Sequence, residues 1–261
     1  MPGGKNMELN TLVSYNLHLT KILTNKFINM VNRLPYSVMM IDSGAFSAHM
    51  AGFEIDIYKY IDFCHTIKLR DISIFMSLDV IGDPEASLRN AEIMTKNGVN
   101  IVPTFHFGEP LHYLDDMKRL YPLVAAGGVA RKGVRIREEF VDAVFSRIWP
   151  HRIHGLGITN RNLLMKYPFQ STDSSSWELG VRRAGRWPEL GRVGQRGSRQ
   201  NMVQPVMSYI KLQHDVRGVN PVKMLGGGPY CLYMGVTATA ALRTLFDKRH
   251  ELKMAMRDME V

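Results

Sequence analysis

Three aspartates and two histidines fall at comparable points of this chain. Asp42 closes the apolar run Ser37–Ile41, Asp79 closes Ser73–Leu78, and Asp173 follows Phe169–Thr172. His106 comes directly after the run Asn100–Phe105, and His154 lies within Arg152–Ile158. A single aspartate after a strand is commonly a turn former or a helix cap. Asp42 before Ser43-Gly44, and Asp173 before three serines, each fit that role. Three carboxylates at equivalent positions are a different matter. Gathered in one place they repel unless they bind a cation, share a proton or receive a donor-rich ligand. A cation is disfavoured by spacing, because no HxH or HxxxH pair lies on a single element. A base edge with an N–H beside an amino group satisfies a carboxylate in a two-pronged contact. A second carboxylate can hold a sugar carbon covalently, and a third can carry a proton to or from a base nitrogen.

Such convergence requires a scaffold that brings strand ends together. The short apolar runs alternate with segments of helical periodicity: 56–69, 85–96 after Asp83-Pro84, 110–120, 138–149 and 160–166. A fourth run, Leu123–Ala126, is closed by Gly127-Gly128. Strand and helix in alternation predict parallel βαβ units. Five such units without a nucleotide-fold glycine fingerprint favour a (β/α)8 barrel of the TIM type, whose active sites lie at the C-terminal strand ends. The expected organisation is one domain over 1–261: an N-terminal helix at 11–34, an Arg/Gly-rich loop at 177–200 and C-terminal helices within 229–260. The segment 203–214 is compatible with a helix. The last two strands have no clear sequence signal.

The bulk properties fit an enzyme acting on a polyanion. Apolar residues make up 45% of the 261-residue chain, enough for a large core. Lysine and arginine number 33 against 24 acids, a net charge of +9, which points to a polyanionic partner or to a merely basic surface. Cys64 and Cys231 form no zinc set and read as small core residues. No membrane-length apolar run and no apolar signal core occur, so a cytoplasmic location is expected. Between 177 and 199 stand Arg182, Arg183, Arg186, Arg192, Arg196 and Arg199, together with Trp177 and Trp187. This composition suits phosphate clamping and base stacking, and equally a solvated loop.

Five segments taken in order resemble the tRNA-guanine transglycosylase superfamily. Asp42-Ser43-Gly44-Ala45-Phe46 is similar to its DSGG-aromatic motif, and Phe75–Asp79 to the strand carrying its base-reading aspartate. Ala125–Ala130 resembles the GGLA segment and His154–Thr159 the MGVGT segment, while Thr172-Asp173 stands where the nucleophile falls. The resemblance covers roughly residues 37 to 187. It implies Asp173 as nucleophile, Asp42 as general acid/base and Asp79 as reader of the guanine edge. Ser43, His106, Gly127, Gly128 and Gly155 would assist base binding, with Phe46 and His154 sandwiching the base. His106 replaces the family's usual glutamine and His154 its usual methionine. The C-terminal zinc cluster of the tRNA enzymes is missing, so no zinc or other cofactor is expected. The shorter chain resembles the DNA-directed branch from phages and bacterial modification clusters, which places 7-deazaguanine bases in DNA. A tRNA enzyme, a nucleoside N-glycoside hydrolase or deoxyribosyltransferase, and a non-catalytic nucleic-acid-binding barrel remain alternatives.

Overall fold

The computed structural model describes residues 10–15, 29, 32–33, 38–67, 72–175, 186–187, 191–192, 203–219, 230–236 and 246–258. In chain order the strands are β1 (Asn10–Ser14), β2 (Val38–Asp42), β3 (Ile72–Met76), β4 (Ile101–Val102), β5 (Thr104–His106), β6 (Leu123–Gly127), β7 (Arg152–Gly155), β8 (Ser171–Ser174), β9 (Arg186–Trp187), β10 (Gly191–Arg192) and β11 (Cys231–Val236). The helices are α1 (Ala45–Ala51), α2 (Ile57–Thr66), α3 (Pro84–Lys96), α4 (Leu111–Leu120), α5 (Val134–Ile148), α6 (Arg161–Lys166), α7 (Val203–Val219) and α8 (Arg249–Asp258).

The main sheet runs β4-β3-β2-β1-β11-β8-β7-β6-β5 with every pairing parallel. Its two ends, β4 and β5, are halves of one strand separated only by Pro103. Proline has no N–H to give the ladder, so the strand is interrupted there, although the Pro103 carbonyl still accepts from Ala125 N at 2.8 Å. β4 pairs with β3 on one side and β5 with β6 on the other, which closes the sheet into an eight-stranded TIM-type barrel.

Alternation along the strands separates two apolar layers. Met39 and Ile41 face the helices and join the large outer core with Tyr60, Phe105, Val144 and Phe169. Met40, with Leu12, Met76, Val102, Ala125 and Tyr233, forms a second cluster filling the barrel interior. The helices begin where local chemistry dictates. Asp56 caps α2 through Tyr58 N and Lys59 N, Asp83 caps α3 through Ala86 N with Pro84 at the first position, and Asn160 caps α6 through Leu163 N.

Several expected elements differ. The barrel's first strand is Asn10–Ser14, overlapping the start of the segment 11–34 expected as a helix, and it pairs with β2 and β11. Ladder hydrogen bonds on both sides override the helical spacing of the local apolar residues. Cys231–Val236, within the segment assigned to C-terminal helices, is a strand between β1 and β8. The short helix α1 was not anticipated, α5 begins four residues earlier than expected, and α7 runs to Val219. Of the Arg/Gly-rich loop, only the backbone of the antiparallel β9–β10 ribbon is described, pairing Arg186 with Arg192. Arg182, Arg183, Arg196 and Arg199 lie outside the described residues. No described helix is long and apolar enough to cross a membrane.

Gly155 shows how tightly the wall between interior and helices is packed. A Cβ there would stand 2.9 Å from the Phe169 ring and 3.0 Å from the Thr172 methyl. Gly155→Ala is therefore expected to destabilise the fold by about 1–3 kcal/mol through overpacking, read as a lowered urea midpoint at unchanged m-value.

Candidate active site at the barrel mouth

Residues two apart on a strand share a face, so the interior layer specifies what stands above it at the mouth. Met40 is followed by Asp42, Ser171 by Asp173, Thr104 by His106 and Ala125 by Gly127. Asp79 arrives just beyond β3. The C-terminal strand ends thus bring all three aspartates into electrostatic reach, since Asp42 feels the charges of both Asp173 and Asp79.

Asp42 is the most perturbed of the three. Burial, then the charge of Asp173, then that of Asp79, push its carboxyl from an ordinary 3.8 up to about 7. Gly44 N–H donates to Oδ2 at 3.1 Å, and the Ser14 hydroxyl also hydrogen bonds this carboxyl, but both are outweighed. The β1–β2 register sets Ser14 beside Asp42. A carboxyl poised near neutrality can either give or take a proton.

Asp173 is held from one side. Gly157 N–H donates to Oδ1 at 2.8 Å, and His154 Nε2 stands 3.4 Å from the same oxygen. Gly157 adopts φ 72°, a left-handed conformation that turns the backbone so that its N–H meets the carboxylate. Among the described residues, Asp173 Oδ2 receives no hydrogen bond, which leaves one oxygen of the carboxylate uncommitted.

His154 occupies a different place from the one expected. Its exposure is 0%, its Nδ1 is 2.8 Å from Ser171 Oγ, and its ring meets Tyr233 edge-on at 6.1 Å. Nδ1 shares its hydrogen bond with the Ser171 hydroxyl, while the buried Nε2 makes no hydrogen bond among the described residues. The imidazole packs beside the aspartate, and no face of it is free to sandwich a base. Gly155, also expected at the base, is explained by the ring of Phe169 against it. Ser43 is buried under the turn. Gly127 accepts from Phe107 N–H at 2.9 Å through its carbonyl, and Gly128 takes φ 82°. Phe46 is 54% exposed beside the mouth and remains available for stacking.

Asp79 and His106 form a chain with Glu109, a residue outside the sequence-based candidates. Glu109 Oε2 accepts from His106 N–H at 2.8 Å, and Oε1 lies 3.2 Å from His106 Nδ1. On the other side, His106 Nε2 is 3.5 Å from Asp79 Oδ2, while Ser77 Oγ donates to Asp79 Oδ1 at 3.0 Å. Burial opposes charge on the imidazole, but the hydrogen bond to Glu109 and the Asp79 and Glu109 charges together raise its pKa. Burial pushes Asp79 up to about 6, against the pull of His106 and its hydroxyl partners. The signal for Glu109 was its i+3 spacing from His106 across the turn Phe107-Gly108. Ser14 was hidden because its strand was read as helix. Among the described residues, no group of three or more His, Cys, Asp or Glu side chains has the arrangement of a metal site.

No known family profile matches the chain, and no curated protein matches it significantly. Among solved structures it is similar to a mutant tryptophan synthase alpha-subunit from the hyperthermophile Pyrococcus furiosus. The identity is 11% and the TM-score 0.43, over 99% of this chain and 98% of that one.

Two outcomes follow from the electrostatics. Between pH 3.8 and about 7 the folded protein holds a proton on Asp42 that the unfolded chain has released, so this group makes stability fall as pH rises through that window. Asp42→Asn removes the effect. The variant should exceed wild type in stability by on the order of 1 kcal/mol or more at pH 8, with the difference vanishing near pH 3.5, as measured by denaturant titration. Glu109→Gln should lower the His106 pKa, visible as an earlier NMR titration of that imidazole; an unmoved titration would remove Glu109 from the chain.

Proposed function

We propose that the protein is a base-exchange pentosyltransferase that replaces guanine in DNA with a 7-deazaguanine base through a covalent aspartyl–sugar intermediate. The observation that carries this reading is the pairing at one mouth of a half-tethered carboxylate, Asp173, with a carboxyl poised near neutrality, Asp42. The ordered resemblance of residues 37–187 to the transglycosylase superfamily supports the same roles for the same residues.

In the first step Asp173 Oδ2 bonds to C1′ of the target nucleotide while the C1′–N9 bond breaks. The departing guanine N9 takes the proton of Asp42. In the second step the incoming base gives its N9 proton to the Asp42 carboxylate, N9 bonds to C1′, and the Asp173–C1′ bond breaks. Gly157 N–H holds Oδ1 throughout, so the nucleophile need not reorient. Asp79 as carboxylate accepts from the N–H and amino group of the guanine edge, and His106, fixed by Glu109, offers a donor beside it. Phe46 supplies a stacking surface. Chemistry on a base requires the nucleotide to be unstacked, so the substrate is single-stranded or flipped out of a duplex.

The test is incubation with labelled guanine and either DNA or structured tRNA. Base-dependent incorporation into DNA is expected. Asp173→Asn, which keeps shape and removes charge, should reduce exchange on the order of 10⁴-fold or more while leaving oligonucleotide binding intact. Unchanged exchange in that variant would sink the mechanism. Exchange on tRNA alone would move the reading to the tRNA enzymes, and label-free release of base from nucleosides would make the protein a hydrolase.

A further inference from the structure

The loop joining β6 to α5 leaves the mouth as Arg131-Lys132-Gly133. Both cations are exposed, and both are set against aromatic rings that follow other strand ends, Phe46 in α1 and Phe107 in the turn after β5. The Arg131 guanidinium lies 5.9 Å from the centroid of Phe46, which follows β2, and Lys132 Nζ lies 5.2 Å from the centroid of Phe107, which follows β5. Those rings are themselves 54% and 41% exposed. Around the barrel, β2 and β6 are separated by β3 and by the β4–β5 strand. The Arg131–Phe46 contact therefore bridges the sector of the rim that carries Asp79 and His106.

Many other cations of the barrel's helices are spent on carboxylates. Arg89, Arg119, Arg135, Arg147, Arg161 and Lys166 each pair with an aspartate or glutamate within 2.8 Å. Arg131 and Lys132 have no such partner among the described residues. The loop is also fixed in place, since Arg137 Nε donates to the Lys132 carbonyl at 2.8 Å. An exposed cation over an aromatic face is weakly held and readily exchanged for an anion. Beside a mouth whose floor is acidic, this distribution is two-signed: carboxylates inside to receive donors, and uncommitted cations at the edge to receive negative charge.

We propose that Arg131 and Lys132 form a phosphodiester clamp, binding the polynucleotide backbone on either side of the nucleotide whose base enters the acidic mouth. The phosphates replace Phe46 and Phe107 as partners of the two cations, which frees both rings to stack on bases. A phosphodiester suits the pair because guanidinium and ammonium bind phosphate oxygens strongly and aromatic rings accept any base face. The proposal rests on the reading that a nucleic acid is the substrate.

The test is fluorescence anisotropy with a labelled single-stranded oligodeoxynucleotide across a potassium chloride series. Arg131→Gln with Lys132→Gln is compared with Lys96→Gln plus Arg119→Gln, which makes the same charge change in the last turns of α3 and α4, at the opposite end of the barrel. The clamp variant should lose about 1.4 units of the log–log salt slope, ~0.7 for each phosphate contact on a single strand. Its affinity at low salt should fall more than about tenfold, while the control stays within about twofold of wild type. A slope unchanged in the clamp variant, a control that loses as much, or a wild type that does not bind the oligonucleotide would each overturn the proposal. Circular dichroism and thermal melting of both variants show that the fold is kept. Labelled-guanine exchange is run alongside. Exchange with an unaltered salt slope removes the clamp and leaves the pentosyltransferase standing, whereas a lowered slope without exchange does the reverse.

Discussion

Closure of the parallel sheet is the constraint on which the rest of this protein depends. β1 lies between β2 and β11, and the strand interrupted at Pro103 joins β3 to β6. Remove either and the sheet acquires two open edges with unpaired backbone groups. Once closed, each strand must send alternate side chains into a space too narrow for water-filled disorder. The interior cluster of Leu12, Met40, Met76, Val102, Ala125 and Tyr233 fills that space, and the next inward positions form the mouth.

The same closure crowds charge. Asp42, Asp79 and Asp173 are brought together by backbone geometry regardless of their mutual repulsion, and each is provided with its own donors. Asp42 has Gly44 N–H and Ser14, Asp79 has Ser77 with the His106 imidazole beside it, and Asp173 has Gly157 N–H. The residual repulsion is relieved by a proton, and burial together with the two neighbouring charges selects Asp42 to hold it. The arrangement differentiates three chemically identical groups by environment alone. One is tethered through a single oxygen, one is poised to exchange a proton, and one is tied to a histidine that a glutamate holds from behind. That differentiation is what the proposed base exchange would require of them.

The sequence by itself determined the alternation of strands and helices from β2 to β8, apart from the short helix α1, because the other elements there announce themselves locally. Apolar runs end in Asp42 and Asp79, and Asp56, Asp83 and Asn160 cap the helices that follow. It also singled out the three aspartates and His106, since a strand end in a closed barrel is a position that can be read from order alone. Tertiary structure decided what depends on distant partners. Asn10–Ser14 is a strand because its backbone is paired on both sides, on one of them with the far end of the chain, although its own residues continue into a helical spacing. His154 was legible as a residue of the mouth, but only the neighbouring strand, through Ser171, holds it as a buried group closed to a base. Glu109 was within three residues of His106, yet its role needed the turn that folds it back. Local pattern carries propensity and periodicity over a few residues, while hydrogen-bond pairing across strands and the summed field of neighbouring charges exist only once the barrel has closed.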